Sequence, residues 1–307
     1  MRPVRRLILN ADDFGQNEAI TEGILLAYRQ GILTSTSAIV NMDGAPERIA
    51  AAHMREPGLP IGLHLNLSAG RPVLPPERVP HLVGPDGTFH TFEEIVVRYA
   101  DIPVAEIRAE LNAQAALLRD CGVTFDHIDY HQHVPAIFCP YFEVVAELAR
   151  LYGVPVRQPS LSPLRGRAKP LENARHKVVL RFIRQALLPH PLRILRAVLH
   201  ICPLRRALTA RRLGTPDHFV GAFFGAPTLD NFCAILRRLP PGLSEVMTHP
   251  ALDGFDLHRE PDGYNAARPR ELAVLLDPLA RREVERLGIH LVDFSAARAA
   301  PSKPESR

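Results

Sequence analysis

The chain lacks several features that would place it in a membrane or outside the cell. None of its apolar runs approaches the length of a membrane-spanning helix, and the apolar run after the basic start, Met1–Arg6, is too short for a signal peptide. The four cysteines are scattered and form no Cys-x-x-Cys pair, which predicts a reducing, cytoplasmic compartment. Internal repeats, low-complexity tracts and a glycine-rich phosphate loop are also missing. What remains has the composition of an ordinary globular protein.

The charge is distributed unevenly along the chain. Between Arg157 and Arg212 there are 14 Lys or Arg residues and one acidic residue, Glu172, whereas the rest of the chain carries 23 Lys or Arg and 32 Asp or Glu. A basic segment therefore interrupts a mildly acidic body. Such an asymmetry can mark an anionic partner, but a helical cover that packs on the rest of the fold with its arginines solvated is the simpler interpretation.

Apolar runs of strand length alternate with segments of helical periodicity. Alternation of this kind predicts an α/β fold with a parallel sheet, either open or closed into a barrel. The predicted strands are Arg5–Asn10, Ser35–Asn41, Leu59–Asn66, Phe125–Tyr130, Pro155–Arg157, Val220–Phe224, Ser244–Thr248 and Ile289–Phe294. The predicted helices are Asn17–Gln30, Ala45–Arg55, Val104–Arg119, Pro140–Tyr152, Leu229–Arg238 and Pro269–Leu287.

We expect one domain over residues 1–307, with a basic helical insertion at about 160–214 and a disordered tail at 297–307. Two candidate helices, Glu172–Leu188 and Pro191–Leu213, account for most of the insertion. In a parallel sheet the polar groups that do chemistry gather at the carboxyl ends of the strands.

Two adjacent carboxylates, Asp12 and Asp13, follow the first predicted strand. Like charges side by side repel each other, so a metal ion, a shared proton or solvation must offset the repulsion. One carboxylate could bind a cation while the other stays free as a base. Helix capping by one of the two is the simpler alternative, but capping does not require both.

Histidines follow three other predicted strands. In the segment His127–His133, polar residues occupy every second position, and in an extended strand His127, Asp129, His131 and His133 would share one face. A ligating histidine usually donates its second ring N–H to a carboxylate, and Asp129 is placed to receive such a bond. His64 with Asn66, and His249 near the end of the chain, also lie at strand ends, although each alone would be an ordinary buried histidine.

One carboxylate with two imidazoles leaves coordination positions open for water and substrate. This set predicts one divalent metal ion, Zn²⁺ or Mg²⁺, with Mn²⁺, Ni²⁺, Co²⁺ and Fe²⁺ also open. Because histidine is not a preferred ligand of Mg²⁺, that ion is the less expected of the two.

Five segments together resemble the YdjC-like carbohydrate deacetylases, a group that includes chitooligosaccharide and hopanoid-associated deacetylases. They are Asn10–Gly15 (NADDFG), Gly31–Ser37 (GILTSTS), Gly62–His64 (GLH), His127–His131 (HIDYH) and Thr248–Pro250 (THP). The order of the segments is that of the family, and the resemblance covers most of the chain. The sequence departs from the family pattern at Gln132-His133 and at Pro250-Ala251.

The resemblance implies an irregular (β/α) TIM-like barrel and a metal-dependent enzyme that removes the N-acetyl group of an amino sugar. It also implies that Asp13, His64 and His131 bind the metal. Asp12 would then be the general base, and His249 the acid that protonates the departing amine. The remaining polar residues would lie next to the ligands and orient them: His127, Asp129, His133 and Asn66.

Two other functions stay open at this point. One is hydrolysis of another bond, such as a phosphoester, by the same kind of metal site. The other is a non-catalytic protein that uses the basic insertion to bind a membrane or nucleic acid. Because Phe182 is the one aromatic residue within the insertion's apolar runs, base stacking is unexpected and we expect no nucleic-acid partner. We expect an N-acetylated amino-sugar substrate, while an anionic membrane surface and a homodimer remain open.

Overall fold

A seven-stranded parallel sheet forms the centre of the computed structural model, which describes residues 4–159, 187–221, 223–254, 257 and 264–297. The strand order is β4-β3-β2-β1-β6-β5, and β7 pairs with the first residues of β1. The strands are β1 (Arg5–Phe14), β2 (Ser35–Ala38), β3 (Ile61–Leu65), β4 (Ile128–Tyr130), β5 (His218–Val220), β6 (Gly242–Thr248) and β7 (Ile289–Leu291). Helices surround this half-barrel, so the predicted α/β class and TIM-like architecture are confirmed.

Helices connect most of the strands and pack their apolar faces against the sheet. They are α1 (Glu18–Gln30), α2 (Ala45–Arg55), α3 (Phe92–Arg98), α4 (Val104–Asp120), α5 (Val134–Ile137), α6 (Cys139–Tyr152), α7 (Pro191–Val198), α8 (Leu204–Ala210), α9 (Leu229–Arg238), α10 (Arg268–Leu276) and α11 (Pro278–Arg286). Asn17 and Thr228 cap α1 and α9 by accepting bonds from backbone N–H groups, and Gly153 ends α6 in the left-handed conformation. Among the described residues, no helix combines the length and the apolar character needed to cross a bilayer.

Strand β1 determines where the site lies. It pairs with β6 along Arg5–Ala11, while its other edge pairs first with β7 and then, from Asn10 onward, with β2. Both faces of this parallel sheet are covered, so β1 is buried from Leu7 to Phe14, which explains the continuous apolar run Leu7–Leu9. The carboxyl ends of β1, β3, β4 and β6 lie at one end of the sheet, and the predicted metal and catalytic residues lie at these ends or just after them.

Several predicted boundaries are wrong, for identifiable reasons. The predicted helix Pro269–Leu287 is two helices, because Pro278 cannot continue α10 and the carboxylate of Asp277 caps α11 at the N–H of Leu279. The predicted strand Pro155–Arg157 is a single bridge between Val156 and Ile128.

The predicted helix Pro191–Leu213 also divides, into α7 and α8. The first half of the insertion, residues 160–186, lies outside the described residues, as does the tail beyond residue 297. The prediction of one domain with an insertion therefore stays a prediction.

Candidate active site

Asp12 and Asp13 both face the site although they are neighbours in β1. Regular strand geometry would direct successive side chains to opposite faces of the sheet. The pairing of β1 with β2 shifts register between Ala11 and Phe14, and Asp13 has a left-handed φ of 70°. Aspartate tolerates this conformation better than most residues. The irregularity therefore directs two adjacent carboxylates to one place, as β-bulges near functional sites do.

Asp13 lies against two imidazoles, and these three residues form what we call the imidazole side of the site. Its Oδ1 is 3.1 Å from Nδ1 of His131 and 3.4 Å from Nε2 of His64. One ligand atom from each residue lies within 4.8 Å of the other two. Ligands bound at 2.0–2.2 Å around one ion are separated by about 3.0–3.4 Å, so the cluster fits a divalent metal.

The charges on the imidazole side are strongly coupled. Burial raises the pKa of Asp13, but Arg268, His131 and His64 outweigh this and hold it well below the usual value. Burial likewise lowers the pKa of His64, yet the charge of Asp129 and the bond to Asp13 raise it to about 10. The carboxylates of Asp13 and Asp129 therefore stabilise a positive charge at His64. A metal cation bound to the His64 ring can supply that charge in place of a proton.

Strands β3 and β4 orient His64. His64 and Asp129 are direct partners in the β3–β4 pairing, and Nδ1 of His64 lies 2.7 Å from Oδ1 of Asp129. The hydroxyl of Ser37 donates to the other carboxylate oxygen of Asp129 at 2.7 Å. This contact at Nδ1 leaves Nε2 directed toward Asp13, the usual arrangement behind a ligating histidine.

Asp12 has a different set of partners, and with Asn10 and Arg157 it forms the arginine side of the site. Arg157 donates from both terminal nitrogens to the two Asp12 oxygens, each at 2.6 Å. Asn10 donates to Oδ1 of Asp12 at 2.9 Å and to Asp129 at 3.2 Å. The structure therefore corrects the expectation that the second carboxylate is free.

Arg157 is fully buried and connects three carboxylates. Besides Asp12, it contacts Asp129 at 2.9 Å and donates from Nε to Glu245 at 2.6 Å. Burial raises the pKa of Glu245 to about 7 even though Arg157 lowers it. A buried guanidinium of this kind fixes the position of Asp12 through two parallel hydrogen bonds.

His249 borders the arginine side. Its Nε2 lies 3.9 Å from Oδ2 of Asp12, and its backbone N–H donates to Glu271 at 2.5 Å. Burial lowers its pKa to about 4, although Asp12 and Asp13 raise it, so the ring is neutral at neutral pH. The rings of Phe224 and Tyr264 stack on each other at 4.0 Å and lie within 5.5 Å of the His249 ring.

The structure places the remaining predicted residues at greater distance from the imidazole side. The ring of His127 stacks on Phe294 at 3.7 Å, with Nε2 4.0 Å from Asp129, and a Cβ on Gly62 would meet that ring at 2.2 Å. Glycine at position 62 is thus required by the histidine beside it.

His133 and Asn66 also lie apart. The strand ends at Tyr130, and Gln132 and His133 adopt left-handed conformations, so His131 and His133 do not continue the alternation of an extended strand. The His133 ring packs edge-on against Phe219. The Asn66 side chain bonds Asn41 and the backbone of residues 68 and 69, which stabilises a loop.

Five contacting residues were missing from the predicted site: Asn10, Ser37, Arg157, Glu245 and Arg268. Arg157 ends the short predicted strand Pro155–Arg157, so strand-end position was an available signal for it, whereas Ser37 lies inside the predicted strand Ser35–Asn41. Arg268, which donates to Oδ2 of Asp13 at 2.7 Å, begins a helix and gave no such signal.

Comparisons with known proteins identify relatives over most of the chain. The chain is 37% identical over 301 residues to a protein of Enterococcus faecalis named carbohydrate deacetylase, with 95% of this chain and 98% of that one covered. It is 32% identical over 295 residues to one of the same name from Geobacillus stearothermophilus, covering 94% and 97%. A Homo sapiens protein of that name is 33% identical over 315 residues, covering 94% and 90%.

A solved structure shows the same fold. It is described as that of a proposed cellobiose-phosphate cleavage protein from Enterococcus faecalis V583, and it superposes with a TM-score of 0.73 at 27% identity. The alignment covers 95% of this chain and 98% of that one. A family model described as YdjC-like protein matches residues 6–286. The chain therefore belongs to the YdjC-like family.

Proposed function

We propose that the protein is a metal-dependent carbohydrate deacetylase that releases acetate from an N-acetylated amino sugar. The observation that carries the proposal is the pair of unlike carboxylates at the end of β1. Asp13 lies among ligand-type nitrogens, and Asp12, its neighbour, lies among hydrogen-bond donors and 3.9 Å from His249. The relatives named carbohydrate deacetylase support the choice of bond and substrate class.

In this proposal Asp13, His64 and His131 hold the metal. A divalent ion supplies Lewis acidity toward an amide carbonyl and toward water. The two imidazoles favour Zn²⁺, Mn²⁺, Co²⁺, Ni²⁺ or Fe²⁺ over Mg²⁺. Asp129 and Ser37 keep the ring of His64 in its orientation.

Asp12 is the proposed general base. Its Oδ1 accepts bonds from Arg157 and Asn10, whereas Oδ2 accepts one bond, from Arg157, among the described residues. Since a carboxylate oxygen has two lone pairs, Oδ2 can still take a proton from an attacking water. Arg157 holds that oxygen in position during the transfer.

His249 is the proposed carrier of that proton to the amine. A neutral imidazole must receive a proton before it can give one, and Oδ2 of Asp12 lies 3.9 Å from its Nε2. The proton then passes from water to Asp12, from Asp12 to His249 and from His249 to the departing nitrogen. The second proton of the water leaves with the acetic acid, so the reaction balances without another reactant.

Acetate release tests the proposal directly. We expect the purified protein to release acetate from at least one member of a panel of N-acetylglucosamine oligomers and glycolipids. Chelator should abolish the release, and Zn²⁺, Mn²⁺, Co²⁺, Ni²⁺ or Mg²⁺ added singly should restore it to different extents. Hydrolysis of chromogenic phosphoesters with no acetate release from any sugar would overturn the proposal.

We also retain a cytoplasmic location as a proposal. Its support is the state of the four cysteines, Cys121, Cys139, Cys202 and Cys233, all of which are free thiols. The homodimer stays a prediction.

A further inference from the structure

Helix α7 has two apolar faces, of which one is covered by the protein and the other is not. Ile194 and Ala197 face inward and are 5% and 1% exposed. Leu192, Leu195 and Leu199, at and just beyond the helix, are 80%, 57% and 76% exposed, and we call them the leucine face. Their spacing places them on one stripe of the helix surface. Exposed apolar side chains that are contiguous in this way mark interaction surfaces.

The leucine face is attached firmly to the rest of the protein. Ile201 forms an antiparallel bridge with Phe138, the backbone N–H of Cys139 donates to the carbonyl of His200, and that of Cys202 donates to Ile137. These bonds are formed with residues Ile137–Cys139, which follow β4 and His131 in the chain. The face is therefore tied to the end of the sheet that carries the site.

The segment that carries the leucine face contains several arginines without carboxylates to balance them. The sequence contains no Asp or Glu between Glu172 and Asp217. Arg193 pairs with Asp101, but Arg196, Arg205 and Arg206 are exposed and form no ion pair within the described residues. A surface that combines leucines with unbalanced guanidinium groups requires a partner that is both apolar and anionic.

Charge decides between the candidate occupants of this surface. Residues 160–186 carry seven Lys or Arg and one acid, so they bring no net negative charge to balance these arginines. A second copy of the chain would bring the same excess of arginine. Nucleic acid matches the charge but offers no hydrocarbon in which to bury the leucines.

We propose that the leucine face docks on an anionic lipid bilayer. The leucines would enter the boundary between headgroups and acyl chains, and the arginines around them would contact lipid phosphates. This mode of binding places the helix in the plane of the interface, which is why a long membrane-spanning helix is not needed. The proposal holds whichever sugar the site accepts.

Vesicle binding by the full chain tests this proposal. We expect the protein to float with vesicles of phosphatidylcholine and phosphatidylglycerol in equal parts, and not with phosphatidylcholine alone. Binding should weaken at roughly 1 M salt, where the Debye length is about 3 Å. Equal binding to both kinds of vesicle, or to neither, would overturn it.

Substitutions on the face separate it from a general effect of charge. Leu195→Ser with Leu199→Ser should weaken binding at least about tenfold, because each exposed leucine contributes through burial in the interface. Arg205→Gln with Arg206→Gln should weaken it about tenfold at low salt. The matched control, Leu151→Ser with Leu279→Ser, removes leucines that are 71% and 51% exposed elsewhere and should bind as the wild type does.

Two further readouts make the result decisive. All three double variants should release acetate from a dissolved substrate at the wild-type rate, which shows that they fold. Sedimentation velocity compares the wild type with the leucine variant. Unchanged vesicle binding by that variant would exclude this face as the docking site, and a dimer that the variant abolishes would assign the face to a second copy instead.

Discussion

The two sides of the site differ in the chemistry that surrounds an otherwise identical carboxylate. Asp12 and Asp13 are adjacent and each is 2% exposed. An imidazole nitrogen can offer a lone pair to a metal, whereas a guanidinium has donors and no lone pair. Asp13 lies between two imidazoles at Oδ1 and accepts a bond from Arg268 at Oδ2, whereas Asp12 is bound at both oxygens by Arg157 and has no imidazole in hydrogen-bond contact among the described residues. The comparison favours Asp13 as ligand and Asp12 as base, two roles that the sequence left interchangeable.

The histidines on the two sides also differ in their affinity for protons. Burial lowers the pKa of both, but the carboxylates around His64 raise its value to about 10, whereas His249 remains at about 4. A position that stabilises a positive charge is suited to a metal ligand. A neutral imidazole beside a base is suited to carrying a proton between two groups.

Neutralising each of the two aspartates in turn should give the largest difference between the two sides of the site. Asp13→Asn should lose its metal, because it removes the charged ligand, and activity should fall by at least ~10³-fold. Asp12→Asn should lose activity by a similar ~10²–10⁴-fold, the range for a general base, yet retain its metal. Metal content by mass spectrometry and acetate release are the measurements. If Asp12→Asn lost the metal and Asp13→Asn kept it, the two roles would be reversed.

Removal of Arg157 should have the largest effect on stability. Arg157→Ala would leave Asp12, Asp129 and Glu245 buried without their shared cation, at a cost of about 3–5 kcal/mol in the free energy of unfolding. Urea unfolding measures the change. The matched control is Arg29→Ala, which breaks the exposed pair with Glu56 and should cost about 1 kcal/mol or less. An equal cost for the two variants would mean that the arginine side contributes no more than a surface ion pair.

The imidazole side could be predicted from the sequence, because its residues immediately follow apolar runs. Apolar runs such as Leu7–Leu9 identify strands, and parallel strands bring their carboxyl ends together. The residues that the resemblance assigned to the metal form one of two groups of possible ligands that lie close together among the described residues, the other being Asp12, His64 and Asp129. The extension of β1 from Asn10 to Phe14 was missed, because polar residues in a strand look like a loop until their neighbours on β6 and β2 are known.

The arginine side could not be predicted in the same way. Arg157 ends a short predicted strand, but it also begins a stretch with 14 basic residues, so strand-end position alone does not distinguish it from a solvated arginine. Its role depends on the carboxylates of three different strands, which are between 28 and 145 positions away in the chain. Long side chains that cross a barrel leave no periodic signal.

The pH dependence of stability sharpens the comparison on the arginine side. Burial lowers the pKa of His249 from its usual value of 6.5 to about 4 in the folded protein. His249 therefore binds its proton more readily in the unfolded chain. The free energy of unfolding should therefore fall as pH is lowered from 6.5 to 4, by up to roughly 3 kcal/mol from His249 alone. His249→Gln should remove that part of the decline. Chelator-treated protein is used for both, and His133, whose pKa burial also lowers to about 4, is present in both. Parallel curves for the two proteins would contradict the neutral state of His249.

The smallest expected effect is that of Phe224, which tests whether the aromatic residues beside His249 also contact the sugar. Its ring is 39% exposed, stacks on Tyr264 and lies 5.2 Å from the His249 ring. The ring can pack against the C–H groups of a sugar next to the proposed proton carrier. Phe224→Ala should raise KM by about 2–10-fold, equivalent to about 0.5–1.5 kcal/mol for a lost aromatic contact, with little change in kcat. Phe224→Tyr, which keeps the ring, serves as the control and should retain the wild-type KM. A fall in kcat at unchanged KM for Phe224→Ala would place the ring's effect on His249 rather than on the sugar.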